Sequence, residues 1–237
     1  MLIHALGCLG AALSMSLSWP QVVKSCVRRR TTGLSATAST LGVAMPIGWI
    51  AYGVLSGERL QIVTNLVTGA AGLAIMVALL ATQPAMRSGR ALRSSAAAAA
   101  LVVVPVLLSG LAAAVAGVRP SQVAPLLGLV LAVVSVVSAI PQPLALLRDR
   151  HQDLSGLSPA RWRMGAGAAA SWLLYGLGTA QPGVWASAGA GLTSALIVCA
   201  VLHLRREATP VVDDAGAVGA ARWRDSVTTR TLAMAGI

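Results

Sequence analysis

The sequence predicts an all-α membrane protein of seven transmembrane helices, arranged as two parallel three-helix repeats joined by a linker helix. Three observations carry this. The 237 residues are 56% hydrophobic and 11% charged, with a mean hydropathy of +0.77, which leaves too little polar surface to cover a water-soluble domain. Uncharged windows near the ~20 residues that a helix needs to cross the hydrocarbon core run at roughly 2 to 23, 34 to 55, 60 to 81, 96 to 117, 123 to 147, 164 to 180 and 184 to 203. One segment also occurs twice. Trp19-Pro20-Gln21, Gly33-Leu34-Ser35 and Trp49-Ile50-Ala51-Tyr52-Gly53 are followed by Pro141-Gln142, Gly156-Leu157-Ser158 and Trp172-Leu173-Leu174-Tyr175-Gly176. The later elements recur at an offset of 123 and the Pro-Gln at 121, so the second copy holds two extra residues in its intervening loop. Duplication explains such a pattern.

Taken in order, the first span has no basic leader and the repeat begins inside it, so it reads as a lasting helix and not as a cleaved signal. The second carries Trp49 and Tyr52, the third Asn65. The fourth opens on five consecutive alanines, Ala96 to Ala100, and has no counterpart elsewhere, as a spacer would. The fifth ends at Pro141-Gln142, the sixth carries Trp172 and Tyr175, and the seventh carries Ala188. Interior prolines such as Pro46 and Pro105 are tolerated in lipid where neighbours re-satisfy the freed carbonyls, and the alternating ten-residue strands of a barrel are absent. The expected divisions are 1–82 for the first repeat, 83–120 for loop and linker helix, 121–204 for the second repeat, and 205–237 for a disordered tail.

Charge orients the chain. Lys24 and Arg28 to Arg30 follow the first span, Arg87, Arg90 and Arg93 the third, Arg148, Arg150, Arg161 and Arg163 the fifth, and Arg205, Arg206, Arg222, Arg224 and Arg230 the seventh. The other gaps hold only Arg59 and Arg119. By the positive-inside rule the N-terminus lies outside and the C-terminus in the cytoplasm of a multi-pass plasma-membrane protein. The formal charge of +11 is thus a topology signal, and a nucleic-acid partner, which needs a folded basic surface, is not expected. A unit of three spans reverses the chain's direction, so a fourth crossing is what keeps two fused units parallel.

At these residues the chain resembles the PQ-loop superfamily, and within it the SWEET and SemiSWEET sugar transporters, over residues 5 to 203. The resemblance rests on Pro20-Gln21, Pro141-Gln142, the two Trp-x-x-Tyr-Gly segments, and Asn65 sixteen residues after Trp49. It implies a bidirectional facilitative carrier of neutral mono- or disaccharides working by alternating access, with a pocket asparagine beside the tryptophan. It also implies a proline hinge in each of the first two helices of a unit. Pro20, Pro141 and Pro159 fill that role, with Pro46 standing in where the mate of Pro159 is Ala36. Gln21 and Gln142 are expected to bond the carbonyls freed beside those bends. Position 188, the mate of Asn65, is Ala188, where eukaryotic members carry a second asparagine, so the site is expected to be asymmetric.

The chemistry follows without the family. A sugar has flat C–H faces and a rim of hydroxyls, so a carrier needs aromatic platforms and a few hydrogen-bonding groups. Trp49 and Trp172 are matched aromatics, and Asn65 offers both donors and an acceptor; the resemblance adds Ala188, the mate of Asn65, to the binding set. The bland alternatives are interfacial anchoring for the tryptophans, interhelical bonding for Asn65 and static kinks for the prolines. Tyr52 and Tyr175, nearer the outer end, are expected to serve as anchors and as gate residues.

No acidic or basic residue falls inside the windows, so a carboxylate proton relay has no parts there and uniport is the simpler mechanism. The first alternative is a proton-coupled amino-acid carrier of the same superfamily, for which only Asp149 and Asp153 lie near a PQ loop. The second is a cargo receptor or scaffold. Lys24, at a helix end, excludes a buried Schiff base, and His4, His151 and His203 show no ligand spacing. No enzyme, metal or cofactor is expected. Cys8, Cys26 and Cys199 form no disulfide framework. Trp223 between Arg222 and Arg224 suits contact with anionic headgroups. The bilayer and a small sugar are the expected partners, and a homo-oligomer stays open. The excess of arginine over lysine and the abundance of alanine point to a GC-rich bacterial source.

Overall fold

The computed structural model describes residues 1–31, 34–148 and 159–207, without the side chains of 142, 145 and 205–207. Gly33, the second Gly-Leu-Ser, Asp149, Asp153, His151, the Gln142 side chain and the tail with Trp223 therefore lie outside the described residues. Among the described residues the chain is helical: α1 (Leu2–Val22) with a π-helical extension (Val23–Val27), α2 (Ala36–Ser56), α3 (Arg59–Thr82), a short 3-10 turn (Pro84–Arg87), α4 (Gly89–Ala113), α5 (Pro120–Ala139), α6 (Pro141–Arg148), α7 (Pro159–Gly178) and α8 (Pro182–Glu207). Met1–Ala200 forms one compact unit. A second begins at Val201, and only the end of α8 is described there.

Among the described residues six helices, α1 with its extension, α2 to α5 and α8, are long and apolar enough to cross a membrane. The segment expected as the sixth span is helical, as the 20-residue α7, but is not apolar enough to qualify as a span because Arg161 and Arg163 occupy its start. The windows and the helices differ at their ends. α4 begins at Gly89 and carries Arg90 and Arg93 in its first turns. The fifth window is two helices, interrupted at Ile140, because Pro141 lacks the N–H that would continue the ladder and its ring crowds the preceding turn.

Side chains and glycines punctuate the helices as their chemistry dictates. Ser35 Oγ accepts from Ala38 N at 3.0 Å and Ser88 Oγ from Ala91 N at 3.3 Å, each satisfying a donor that a helix start leaves free. α2 closes on Gly57 at φ 79°, the left-handed conformation that glycine adopts without penalty. The position 123 residues on is Ala180, at φ 53°, where a Cβ makes the same conformation costly.

In the packing, α1 lies against α3 and α7, α2 against α3, α4 and α5, and α4 against α5. α1 therefore meets α7, and α2 meets α5, so the two Trp-x-x-Tyr-Gly helices each pack on a helix from the other copy of the repeated sequence. Small residues set the separations. A Cβ on Gly72 would overlap the Gly42 carbonyl oxygen, the acceptor whose i+4 partner is Pro46 and so has no N–H to give. α2 and α3 thus close up where proline left a carbonyl free, and the buried Pro46 covers Gly69. Val102 of α4 and Leu131 of α5 seat on Gly48, joining Ala44, Leu127 and both tyrosines in the core.

Two stability effects should follow. Ala180→Gly should raise the unfolding midpoint of the detergent-solubilised protein, by up to about 1 kcal/mol, by relieving the left-handed strain. Gly72→Ala should lower it by about 1–3 kcal/mol through overpacking, whereas Gly110→Ala, with open space around it, should not.

Candidate functional site

A cavity of about 320 Å³ lies among α1, α2, α3, α7 and α8. Ser14 and Leu17 line it from α1, Trp49 from α2, Gln61, Thr64, Asn65 and Thr68 from α3, Gly165, Ala168, Ala169 and Trp172 from α7, and Val184, Ser187 and Ala188 from α8. The structure therefore brings Trp49, Asn65, Trp172 and Ala188 to one space, although they lie as much as 139 residues apart in the sequence. The Trp172 indole is fixed in place: Nε1 donates to Ser14 Oγ at 3.1 Å, and its ring lies over Gly10. The Asn65 amide is committed on one side, since Nδ2 donates to both the Gln61 carbonyl at 2.8 Å and Gln61 Oε1 at 3.2 Å. Its Oδ1 remains an acceptor for something else.

One turn beyond each tryptophan stands a tyrosine, edge-on to it. Trp49 and Tyr52 have centroids 5.4 Å apart at 80°, and Trp172 and Tyr175 5.5 Å apart at 85°, the T-shaped geometry that aromatic quadrupoles favour. The tyrosines are only 4% and 1% exposed. They are core residues, and the expectation that they anchor at the headgroup level is corrected: both hydroxyls find partners inside the protein, so nothing draws them to the interface. Each crosses to the other half. A Cβ on Gly7 of α1 would lie 2.7 Å from Tyr175 Cδ2, and one on Gly128 of α5 would lie 2.8 Å from Tyr52 Cε2. Tyr52 Oη donates to Gln181 Oε1 at 3.0 Å, and Tyr175 Oη donates to Glu58 Oε2 at 2.5 Å. Gln181 in turn donates to Thr179 Oγ1.

Glu58 and Gln181 escaped the sequence reading, although the signal was there: each stands nine residues after its tryptophan, in repeat register. They sit in short connections outside the apolar windows, which concealed that their side chains reach inward. Gln61 and Thr64 were missed as well, despite an i, i+3, i+4 spacing with Asn65 that places all three on one helix face.

The prolines divide in two. Pro20 and Pro46 lie inside α1 and α2, and Pro20 precedes the stretch where the ladder widens to π. Pro141 opens α6, where a missing N–H costs nothing, and marks a helix start and not a bend within a helix; Pro159 is the first described residue of α7. Gln21 was expected to bond a freed carbonyl, but its Nε2 donates to Ser25 Oγ at 2.8 Å. That hydroxyl is fully buried, so the amide satisfies a group that water cannot reach. Cys8 and Cys26 are exposed and free, Cys199 half-buried and free.

No protein-family model matches the chain, and no curated protein matches its sequence. Its fold is that of a solved eukaryotic SWEET transporter, with a TM-score of 0.69 and 16% identity over 86% of this chain and 97% of the other. The described chain is thus a multi-helix membrane protein with a SWEET-like fold.

The two hydroxyl bonds are chemically unequal. A bond to a carboxylate contributes about 1.5–3 kcal/mol and a neutral one about 0.5–1.5. Tyr175→Phe should therefore lower the unfolding midpoint more than Tyr52→Phe, and Glu58→Gln should bring the two losses together in a double-mutant cycle.

Proposed function

We propose that the protein is a facilitative uniporter of neutral sugars that works by alternating access. The observation that carries this reading is the meeting of Trp49, Trp172 and Asn65 around one cavity, since two aromatic platforms and an amide are what a sugar ring and its hydroxyls require. In this reading α7 is the sixth of seven spans, shielded by its packing on α1, and the chain follows a 3+1+3 plan with repeats at 1–82 and 121–204. The crossed helix pairs and the two Tyr–Gly contacts support a two-fold relation along the membrane normal. The tyrosine layer is the closed outer gate, and α1 and α2, bending at Pro20 and Pro46, supply the inner movement. The N-terminus lies outside, the tail in the cytoplasm of a plasma-membrane protein of the PQ-loop superfamily, and no catalysis is assigned.

Purified protein in sealed vesicles should exchange labelled sugar against preloaded sugar, and should do so without a proton gradient. Accumulation abolished by a protonophore would instead indicate the proton-coupled amino-acid reading, and no flux of any solute the scaffold reading. Trp49→Ala, Trp172→Ala and Asn65→Ala should each cost on the order of 1–3 kcal/mol of sugar binding. Cysteines placed at Arg29 and Arg148 should resist impermeant reagents in intact cells while one at Gly57 reacts; labelling at Arg29 but not Arg148 would overturn the parallel plan.

A further inference from the structure

Two walls of the cavity come from α3 and α8, and they are repeat mates. At the offset of 123, Gln61, Thr64, Asn65 and Thr68 correspond to Val184, Ser187, Ala188 and Gly191. The polar groups sit on the first wall. Gln61 is 5% exposed, its Oε1 is taken by Asn65, and its Nε2 has no hydrogen-bond partner among the described residues. Thr64 is 4% exposed, and its Oγ1 is a buried polar atom with no partner, although Thr68 on the same face bonds back to the Thr64 carbonyl at 3.0 Å. Native structures rarely leave a buried hydroxyl such as Thr64 Oγ1 unsatisfied, and a site for a ligand is a physical reason to do so. On the second wall only the Ser187 hydroxyl offers polarity, beside the Val184 and Ala188 side chains.

Resting on the sugar-carrier reading above, we infer that Gln61 and Thr64 are specificity-determining residues and that the cavity selects a monosaccharide lacking the exocyclic hydroxymethyl oxygen, a 6-deoxyhexose or a pentose. With its C–H faces against the tryptophans, a ring turns its edges to the two walls. The α3 wall meets hydroxyls with a donor from Gln61, an acceptor from Asn65, and the Thr64 hydroxyl, which reaches the ligand by a turn about its χ1 between the two wells open to helical threonine. The α8 wall accepts a ring C–H or a methyl group, and a hydroxyl buried against Val184 and Ala188 goes unpaired. A volume of about 320 Å³ is at the small end of ligand pockets, which suits one ring.

The test is counterflow in sealed vesicles with three matched sugar sets: glucose, 6-deoxyglucose and xylose; galactose, 6-deoxygalactose and arabinose; mannose, 6-deoxymannose and lyxose. In each configuration that moves, the deoxy sugar and the pentose should half-saturate at about tenfold lower concentration than the hexose, a ratio within reach of an apolar wall discriminating against one hydroxyl. Thr64→Val and Gln61→Leu should raise the half-saturating concentration, with Thr64→Ser close to wild type, and Ala188→Asn should narrow the gap in favour of the hexose. A hexose handled as well as its deoxy partner, or Thr64→Val and Gln61→Leu with unchanged half-saturation, would overturn the inference while leaving a sugar carrier. Absence of flux for all nine sugars would overturn this inference, and absence of flux for a disaccharide panel as well would overturn the carrier reading.

Discussion

The cavity's tryptophans depend on two crossed contacts, in which Tyr175 of α7 lies on Gly7 of α1 and Tyr52 of α2 lies on Gly128 of α5. Each contact does two jobs. The absent side chains at Gly7 and Gly128 let α7 and α2 approach α1 and α5 closely enough for ring-on-backbone packing. The hydroxyls then need partners, because an unpaired hydroxyl in a buried apolar layer costs about 1–3 kcal/mol. Glu58 and Gln181 supply them from the connections at the ends of α2 and α7. The tryptophans one turn earlier are held edge-on by the same rings, so the cavity inherits its geometry from the tyrosine layer.

Proline and glycine act as a pair elsewhere for a similar reason. Pro46 removes the donor for the Gly42 carbonyl, and that carbonyl lies where Gly72 leaves room for it. In a membrane, where water cannot substitute, a freed acceptor must find something polar or a polarised C–H close by. The close crossing of α2 and α3 thus answers a defect created within α2. Pro141 meets the same problem by ending one helix and starting another.

Most of this architecture could be read from the residues, because a bilayer reduces the choices to helices of one length and the duplication aligns them. The helical class and six of the spans came from hydropathy and repeat register, whereas the grouping of Trp49, Asn65, Trp172 and Ala188 came from the family resemblance together with the chemistry of a sugar ring. What escaped came from the ends of elements. Arg161 and Arg163 fall inside α7 because the described helix runs from Pro159, well before its apolar window. Glu58 and Gln181 looked like loop residues because a linear window cannot show that a side chain at a helix junction folds back over the bundle. The tyrosines were assigned to the interface because their height along the helix was legible and the direction they face was not.

The difference between Glu58 and Gln181 has a kinetic meaning. Two latches of equal strength would release together, in either order with equal frequency. Here one latch is a neutral amide and the other a carboxylate, so thermal fluctuation frees Tyr52 from Gln181 far more often than Tyr175 from Glu58. Two tyrosines in matching positions of the repeat are thereby held by one weaker and one stronger bond.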